Sequence, residues 1–282
     1  MFAPTYLGPV DYLVIGHLTR DITPKGPQIG GTALYAALTA RALGLRVGIV
    51  TSWSEEIFID QLSDIPIINY PTEHSTTFEN ITTPEGRIQK LHSVAAKLDL
   101  FLLPEAWRNP TIIHFGPVAQ EIEPGMTRHF TNSLVGITPQ GWLRSWDDEG
   151  VVHPSEWPEA SFVLGNANAV VLSDEDVGND EARIEEMATY CQVLVVTENI
   201  EGARVYWHGD VRRFHPLPVE LVDDIGAGDI FAAVFFVRLY TTRDPWEAAR
   251  FASQLASHSI TRFGINSIPT LQEIEESMIE VL

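Results

Sequence analysis

The chain has 282 residues, of which 45% are hydrophobic and 20% are charged. This balance is typical of a folded globular protein and excludes disorder over most of the length. With 18 basic and 38 acidic residues, the formal net charge at pH 7 is −20, which repels nucleic acid and anionic lipid surfaces. We therefore expect neither nucleic acid nor a membrane as a partner.

The cysteine content and the terminal segment bear on the cellular compartment. Cys191 is the one cysteine of the chain and cannot form an internal disulfide, which fits a reducing environment. The first residues carry no basic side chain ahead of an apolar stretch, so they do not resemble a secretory signal. The most apolar run, residues 230–237, is much shorter than the roughly 20 residues that cross a membrane. The sequence predicts a cytoplasmic protein.

The amino-terminal part alternates predicted strands and helices. A buried strand over residues 12–15 is followed by a polar segment, by a helix over residues 33–43 with Thr32 as its N-cap, and by a strand over residues 47–51. Strands that are separated by a helix are typical of parallel pairing. This order predicts an α/β fold.

A β-prone stretch interrupts that alternation. Residues 76–82 and 87–92 flank a Pro-Glu-Gly turn, which predicts a hairpin outside the main sheet. Arg87 and Gln89 are two positions apart and share one face, which predicts contact with a polyhydroxylated ligand; a solvated face is the alternative. We expect segments 17–29 and 72–94 to form a small β lid over the substrate. Its exposed strands favour pairing with a second subunit, hence a homodimer.

The α/β pattern then resumes towards the carboxyl terminus. Strands are predicted at 111–115, 134–137, 170–172 and 193–197, a β-prone pair at 203–207 and 211–214, and a helix-rich region from near Asp229. Residues 136–144 follow a strand and are rich in polar groups that would face a cleft, although an ordinary strand-to-loop junction is the alternative. We find no internal repeat and no linker, so we expect one domain over residues 1–282.

A glycine-rich turn, Gly226-Ala227-Gly228-Asp229, runs directly into an apolar helix. Backbone N–H groups of such a turn, together with the helix N-terminus, form a site for an anion such as a phosphate. A carboxylate held there can accept the proton of a hydroxyl during phosphoryl transfer. The residues alone leave another reading open, in which Asp229 only complements the helix dipole.

The segment 218–233 resembles the carboxyl-terminal signature D-T-x-G-A-G-D of the PfkB, or ribokinase-like, carbohydrate kinases. Further resemblances occur in the family's order along nearly the whole chain. Gly16 and Asp21 resemble the family's first strand and its substrate-binding aspartate, and Gly30-Gly31 resembles its amino-terminal Gly-Gly motif. Residues 197–202 resemble its nucleotide-binding turn, and residues 268–270 resemble its closing segment.

The resemblance implies a ribokinase-like three-layer α/β/α sandwich with a mostly parallel central sheet and a small β lid. It implies transfer of the γ-phosphoryl group of ATP, with Mg²⁺, to a hydroxyl of a small sugar or polyol. In that reading Asp229 is the catalytic base and Gly226, Ala227 and Gly228 form the anion hole. The other implied residues are Asp21, Gly30 and Gly31 for the substrate and Thr197, Asn199 and Gly202 for the nucleotide.

Some family positions differ in this chain. Asp224 replaces a threonine, Tyr35 an asparagine and Asn199 a glycine. The family's N-x-x-E motif, which helps to organise Mg²⁺, is Ser173-Asp174-Glu175-Asp176 here, a sequence that is also a helix capping box. We expect Asp176 to reach the metal through water, and Asp224 to hold it directly or through water.

Two other functions stay open at this point. A nucleoside or vitamin-precursor kinase of the same fold would differ only in its acceptor, and Tyr35 leaves room for a more aromatic ligand. A nucleotide- or sugar-binding relative without catalysis is favoured by the altered motif positions. The sequence lacks the G-x-S-x-G, H-E-x-x-H and P-loop motifs, so a serine hydrolase, a zinc protease or a P-loop enzyme has no support.

Overall fold

The computed structural model describes residues 7–24, 26–54, 60–83 and 86–278, without the side chains of residues 82, 83, 86 and 87. Its strands, numbered in chain order, are β1 (Tyr12–Ile15), β2 (Thr19–Thr23), β3 (Gly26–Gly30), β4 (Val47–Ser52), β5 (Ile67–Tyr70), β6 (Thr76–Thr83), β7 (Gly86–Ser93), β8 (Ile112–Phe115), β9 (Leu134–Ile137), β10 (Arg144–Trp146), β11 (Val152–Pro154), β12 (Ala169–Ser173), β13 (Val193–Thr197), β14 (Ala203–Trp207) and β15 (Asp210–Phe214). The helices are α1 (Thr32–Ala42), α2 (Ala160–Gly165), α3 (Glu181–Tyr190), α4 (Ala227–Thr242), α5 (Pro245–Ser259) and α6 (Leu271–Met278).

The described strands form a large central sheet in the order β15-β14-β13-β12-β9-β8-β1-β4-β5. From β13 to β5 every neighbouring pair is parallel, and β14 and β15 add an antiparallel edge. Strands β1, β4, β8 and β9 are buried along their whole length, as expected when both faces of a parallel sheet are covered.

Two hydrophobic cores cover the two faces of the central sheet. One includes side chains of α1, α4 and α5, and the other includes side chains of α2 and α3. Helix α4 is apolar on nearly all sides, since Ile230 to Phe236 are all buried between the sheet and its neighbours. The layers confirm the predicted α/β/α arrangement, and they fix the amino terminus of α4 at the carboxyl ends of the central strands.

A second, four-stranded sheet has the order β3-β2-β6-β7. The predicted hairpin is confirmed as the antiparallel pair β6–β7, and β2 joins it by parallel pairing in which Asp21 lies opposite Phe78. The segment expected at 17–29 therefore contributes two strands, β2 and β3, to the same sheet as the hairpin.

His17 connects this small sheet to the central one. Its Nε2 donates to the Ala96 carbonyl at 2.9 Å, so its Nδ1 accepts from the Thr76 hydroxyl, at 2.7 Å. The His17 amide donates to the buried carboxylate of Glu121, which also accepts from the amides of Val118 and Ala119. These bonds hold β2 and β6 in place above the carboxyl ends of the parallel strands.

Among the described residues, no helix has both the length and the apolar composition needed to cross a membrane.

Candidate active site

A cavity of about 1020 Å³ lies where the carboxyl ends of the parallel strands face the small sheet. The end of an open parallel sheet is the usual ligand position in α/β proteins. Thr138, Ser173 and Thr197 line the cavity at the ends of β9, β12 and β13. Side chains of β2, β6 and β7 form the opposite wall. The amino termini of α1 and α4 complete it.

The glycine turn forms the start of α4 in the cavity wall. Gly226 is the N-cap with a φ of 78°, a left-handed conformation that favours glycine. A Cβ at this position would also lie 2.5 Å from the ring of Tyr35. The Ala227 amide donates to the Asp224 carbonyl at 3.1 Å, whereas the Gly228 and Asp229 amides belong to the first helical turn and have no carbonyl one turn earlier in the helix. The turn therefore leaves the Gly228 and Asp229 amides as donors that an anion would fit, and the anion hole of Gly226, Ala227 and Gly228 stays a prediction.

Asp223 anchors this turn to the rest of the protein. One of its carboxylate oxygens accepts from the Ile225 amide at 3.2 Å, and the other accepts from the Gly264 amide at 3.0 Å. Asp223 thus has a structural task, and Asp224, which is exposed, is the carboxylate of this pair that lines the cavity.

Asp229 is the third residue of α4 and lines the cavity. Burial raises the pKa of its carboxyl to about 6. The hydroxyl of Thr32, which bonds to this carboxyl, and the positive charge of Arg144 both oppose the rise. The carboxylates of Asp176 and Asp21 add to the rise. A carboxylate with this pKa is ionised at neutral pH and is a better proton acceptor than an ordinary aspartate. The geometry suits general-base chemistry.

Thr32 is the first residue of α1, and the helix has Gly31 as its N-cap with no capping side chain. The prediction of Thr32 as the N-cap is therefore wrong by one residue, because the helix begins at Thr32 itself. The Thr32 hydroxyl bonds to Asp229 instead. The methyl group of Thr32 packs on Gly116, where a Cβ would lie 2.4 Å from it. Thr32 thus joins the start of α1 to the start of α4.

The predicted substrate residues gather at the small-sheet end of the cavity. Asp21 lines it and accepts from the Thr19 hydroxyl at 3.1 Å. Gly31 also lines it, with a φ of 90° and no space for a Cβ beside the His17 carbonyl. Gly30 does not line the cavity, but a Cβ there would lie 2.2 Å from a carboxylate oxygen of Asp21, so this glycine makes room for the aspartate.

The hairpin contributes polar side chains to the same end. Gln89 lines the cavity and donates to Asn80, directly opposite on β6, at 3.0 Å. Phe78, two positions before Asn80, lines it as well. The side chain of Arg87, predicted as its partner, lies outside the described part of the structure, so its role stays a prediction.

The predicted nucleotide residues line the opposite end. Asn199 has a φ of 46°, a left-handed conformation that asparagine tolerates better than most residues, which explains how it replaces the glycine of the family. Gly202 has a φ of 94°, and a Cβ there would lie 2.0 Å from the Phe214 carbonyl oxygen. Thr197, the last residue of β13, lines the cavity as well. Apolar side chains also line this end, including Ile200, Leu221 and Ile260.

Asp176 forms the capping box that its sequence predicted. One oxygen accepts from the Ser173 amide at 3.0 Å and the other accepts from the Gln140 side chain at 3.1 Å, so the carboxylate lies behind the cavity wall. Its pKa is raised by burial, against the opposing charge of Arg144. Within the described ranges, no three His, Cys, Asp or Glu side chains are grouped as they are around a protein-bound metal ion.

A buried hydrogen-bonded chain reaches the cavity from the core. The Tyr12 hydroxyl lies 2.8 Å from His114 Nδ1, and His114 Nε2 lies 2.9 Å from the hydroxyl of Thr138, which lines the cavity. Burial lowers the pKa of His114 to about 3, so the imidazole is neutral. The three residues come from β1, β8 and the end of β9, neighbours in the central sheet.

Several lining residues were not singled out in the sequence. Phe78 and Asn80 alternate on β6, a period-two signal that places both on one face and would have identified them. Thr19 lies two positions before Asp21 on β2, so the same signal would have identified it. Glu175 belongs to the segment compared with the family's metal motif, but it was not itself assigned a role. Thr138, Gln140 and Arg144 belong to the stretch 136–144 that was predicted to face a cleft, and all three line it.

Comparison with known proteins gives a consistent result. The model of the pfkB family carbohydrate kinase matches residues 155–271. A cytidine kinase of Thermococcus kodakarensis is 26% identical over 92% of this chain and 99% of that protein, and a fructokinase of Escherichia coli is 25% identical over 93% and 97%. One solved structure similar to this chain is a pyrophosphate-dependent kinase in the ribokinase family, complexed with a pyrophosphate analog and myo-inositol. The two structures superimpose with a TM-score of 0.78 at 18% identity, and the match covers 95% of this chain and 100% of that one. These matches confirm the resemblance and the fold that the sequence predicted.

Proposed function

We propose that this chain, a member of the pfkB family of carbohydrate kinases and hence a phosphotransferase with an alcohol acceptor, transfers the γ-phosphoryl group of ATP to a hydroxyl of a small sugar or polyol. The position of Asp229 carries the proposal. It lies at the amino terminus of α4, beside the glycine turn, in a cavity with polar acceptor residues at one end and the nucleotide turn at the other.

Asp229 acts as the general base. Its carboxylate takes the proton of the acceptor hydroxyl while that oxygen forms a bond to the γ-phosphorus, and the bond from this phosphorus to the bridging oxygen breaks with its electron pair leaving on ADP. The amides of the glycine turn donate to the charged oxygens of the transferred group. Asp21, Gln89 and Asn80 hold the other hydroxyls of the acceptor.

The carboxylates fit a magnesium ion that is bound mainly through the nucleotide. Mg²⁺ usually keeps several waters and takes one or two protein carboxylates together with substrate phosphates. Asp224 is exposed to the cavity beside the glycine turn and would hold such an ion, with Asp176 behind the wall acting through water. When bound, the ion neutralises charge on the phosphates.

The donor end supports a nucleotide rather than a small inorganic donor. Ile200 and Leu221 line it although 83% and 59% of their surface is exposed, so an apolar ligand there would cover both. A nucleobase meets that requirement and pyrophosphate does not. Pyrophosphate remains the second candidate because one structural relative uses it.

The acceptor end leaves room for a nucleoside as the alternative substrate. Tyr35 and Phe78 place two aromatic rings among its polar groups, and a base would stack on such rings. The similarity to a cytidine kinase favours testing this class.

A coupled assay for ADP release with sugars, polyols and nucleosides tests the proposal, with pyrophosphate replacing ATP in parallel. We expect one class of acceptor to be phosphorylated with ATP, and D229N to lower kcat by about 10²–10⁴-fold with little change in ATP affinity. D210N, at an exposed ion pair, is the matched control and should keep full activity. Wild-type protein that binds ATP and phosphorylates none of the acceptors would favour a binding protein without catalysis.

A further inference from the structure

Arg144 differs from the other charged residues that line the cavity. Among the described residues that line the cavity, it is the only arginine or lysine, while Asp21, Glu175, Asp224 and Asp229 are all carboxylates. A ligand that carries a triphosphate would meet strong repulsion in these surroundings unless cations offset it. Within the described part of the chain, Arg144 is therefore the cationic side chain that this site offers.

The side chain of Arg144 lies between the base and the small sheet. Its guanidinium is close enough to Asp229 and Asp176 for its charge to oppose the rise that burial causes in the pKa of both carboxyls. On the other side it lies 5.8 Å from the ring centroid of Phe78, which faces the cavity from β6. This is the region between the acceptor residues and the glycine turn, where a phosphoryl group would travel.

The backbone of Arg144 is held from several directions. It is the first residue of β10, which pairs with β11, and its carbonyl accepts from the side chain of Gln120. The loop of the β10–β11 hairpin reaches the small sheet, where the Leu91 amide donates to the Gly150 carbonyl at 2.8 Å. The backbone from which the guanidinium extends is thus fixed beside the cavity, and the planar fork of arginine loses less freedom per hydrogen bond than a lysine ammonium would.

Phosphoryl transfer gains most from a cation that contacts the moving group. Charge is spread over three oxygens of that group in the transition state, and a planar guanidinium can bond two of them at once. A lysine supplies the same charge without that fork.

We propose that Arg144 is a catalytic residue whose guanidinium binds the phosphoryl group during its transfer from the donor to the acceptor. This inference rests on the proposed function. It differs from a role in which Arg144 only keeps Asp229 ionised, or only binds hydroxyls of the acceptor.

Kinetics of R144Q, R144K and R108Q separate these roles. R108Q, which changes an exposed arginine paired with Glu105, is the control and should leave activity unchanged. At pH 9, where Asp229 is ionised with or without a neighbouring cation, we expect R144Q to lower kcat by about 10³-fold and R144K to recover only part of the loss. Full activity of R144Q at pH 9 would overturn the proposal, and so would a rise in the acceptor KM with kcat unchanged.

Binding of ATP and of ADP gives a second readout that needs no acceptor. By calorimetry, we expect R144Q to weaken ATP by at least about tenfold and to leave ADP unchanged, because only ATP carries the group that Arg144 binds. Equal effects on the two nucleotides, or none, would overturn the proposal even if no acceptor is found. Thermal unfolding of each variant shows whether it is folded, and R144K serves if R144Q is not.

Discussion

Replacing Thr32 by valine should move the acid limit of activity to higher pH. Valine keeps the methyl group that packs on Gly116 and removes the hydroxyl that bonds to Asp229. A hydrogen bond to a charged group contributes about 1.5–3 kcal/mol, and about 1.4 kcal/mol corresponds to one pH unit. The pKa of Asp229, about 6 with the hydroxyl present, should therefore rise by roughly one to two pH units.

The acid limit moves to higher pH because Asp229 acts as a base only when its carboxyl has lost its proton. In the wild type, kcat should fall tenfold per pH unit below about pH 6, the pKa of Asp229. At that pH about half of wild-type molecules have an ionised Asp229, against roughly 1–10% in T32V. At pH 9 the base is ionised in both, so their rates should agree.

Steady-state rates from pH 5 to pH 9 with one acceptor and saturating ATP measure both limits. T32S keeps the hydroxyl and is the matched control, expected to follow the wild-type profile. A T32V profile that coincides with the wild type would show that the hydroxyl does not tune Asp229. A uniform loss at every pH would show that the substitution acts on structure rather than on the proton.

Three further predictions concern the glycine turn and the metal. G226A should lower the free energy of unfolding by about 2–4 kcal/mol, because a left-handed alanine and its clash with the Tyr35 ring are both unfavourable. G228A should keep its stability, since its Cβ would meet no atom within 4 Å. It should nevertheless weaken ATP binding, because the proposed function puts the donor phosphate in that open space. Urea unfolding and calorimetry measure the two effects, and the reverse pattern would contradict the assignment. D224T should raise the Mg²⁺ concentration at half-maximal ADP release, with D210T as control, and an unchanged Mg²⁺ dependence would remove Asp224 from the metal site.

Much of the architecture was predictable because it depends on local signals. The strand β1, the β6–β7 hairpin and the glycine turn at Gly226 all have a pattern that a few consecutive residues specify. The parallel pairing of β2 with β6 was not predictable in this way, since it joins segments more than 50 residues apart.

The site was predictable only in part for the same reason. Asp229 and Asp21 each lie in a motif, but the meeting of Thr32 with Asp229 depends on how α1 and α4 pack. Thr32 looked like an N-cap because threonine before a helical pattern usually is one. The sequence around Asp176 matched both a helix capping box and the family's metal-binding motif. The hydrogen bonds of Asp176 show that it forms the capping box. The homodimer stays a prediction.

The Tyr12–His114–Thr138 chain has one direction of hydrogen bonding from the core to the cavity wall. Within the described part of the chain, the Tyr12 hydroxyl has His114 as its one hydrogen-bond partner, so a buried hydrogen is satisfied only if Tyr12 donates to Nδ1. The neutral ring then carries its proton on Nε2 and donates to Thr138. The Thr138 oxygen therefore accepts a hydrogen from inside the protein and cannot donate its own hydrogen to His114. A tyrosine in the core thereby keeps the hydroxyl hydrogen of a threonine at the cavity surface available to a ligand, together with the second lone pair of that oxygen.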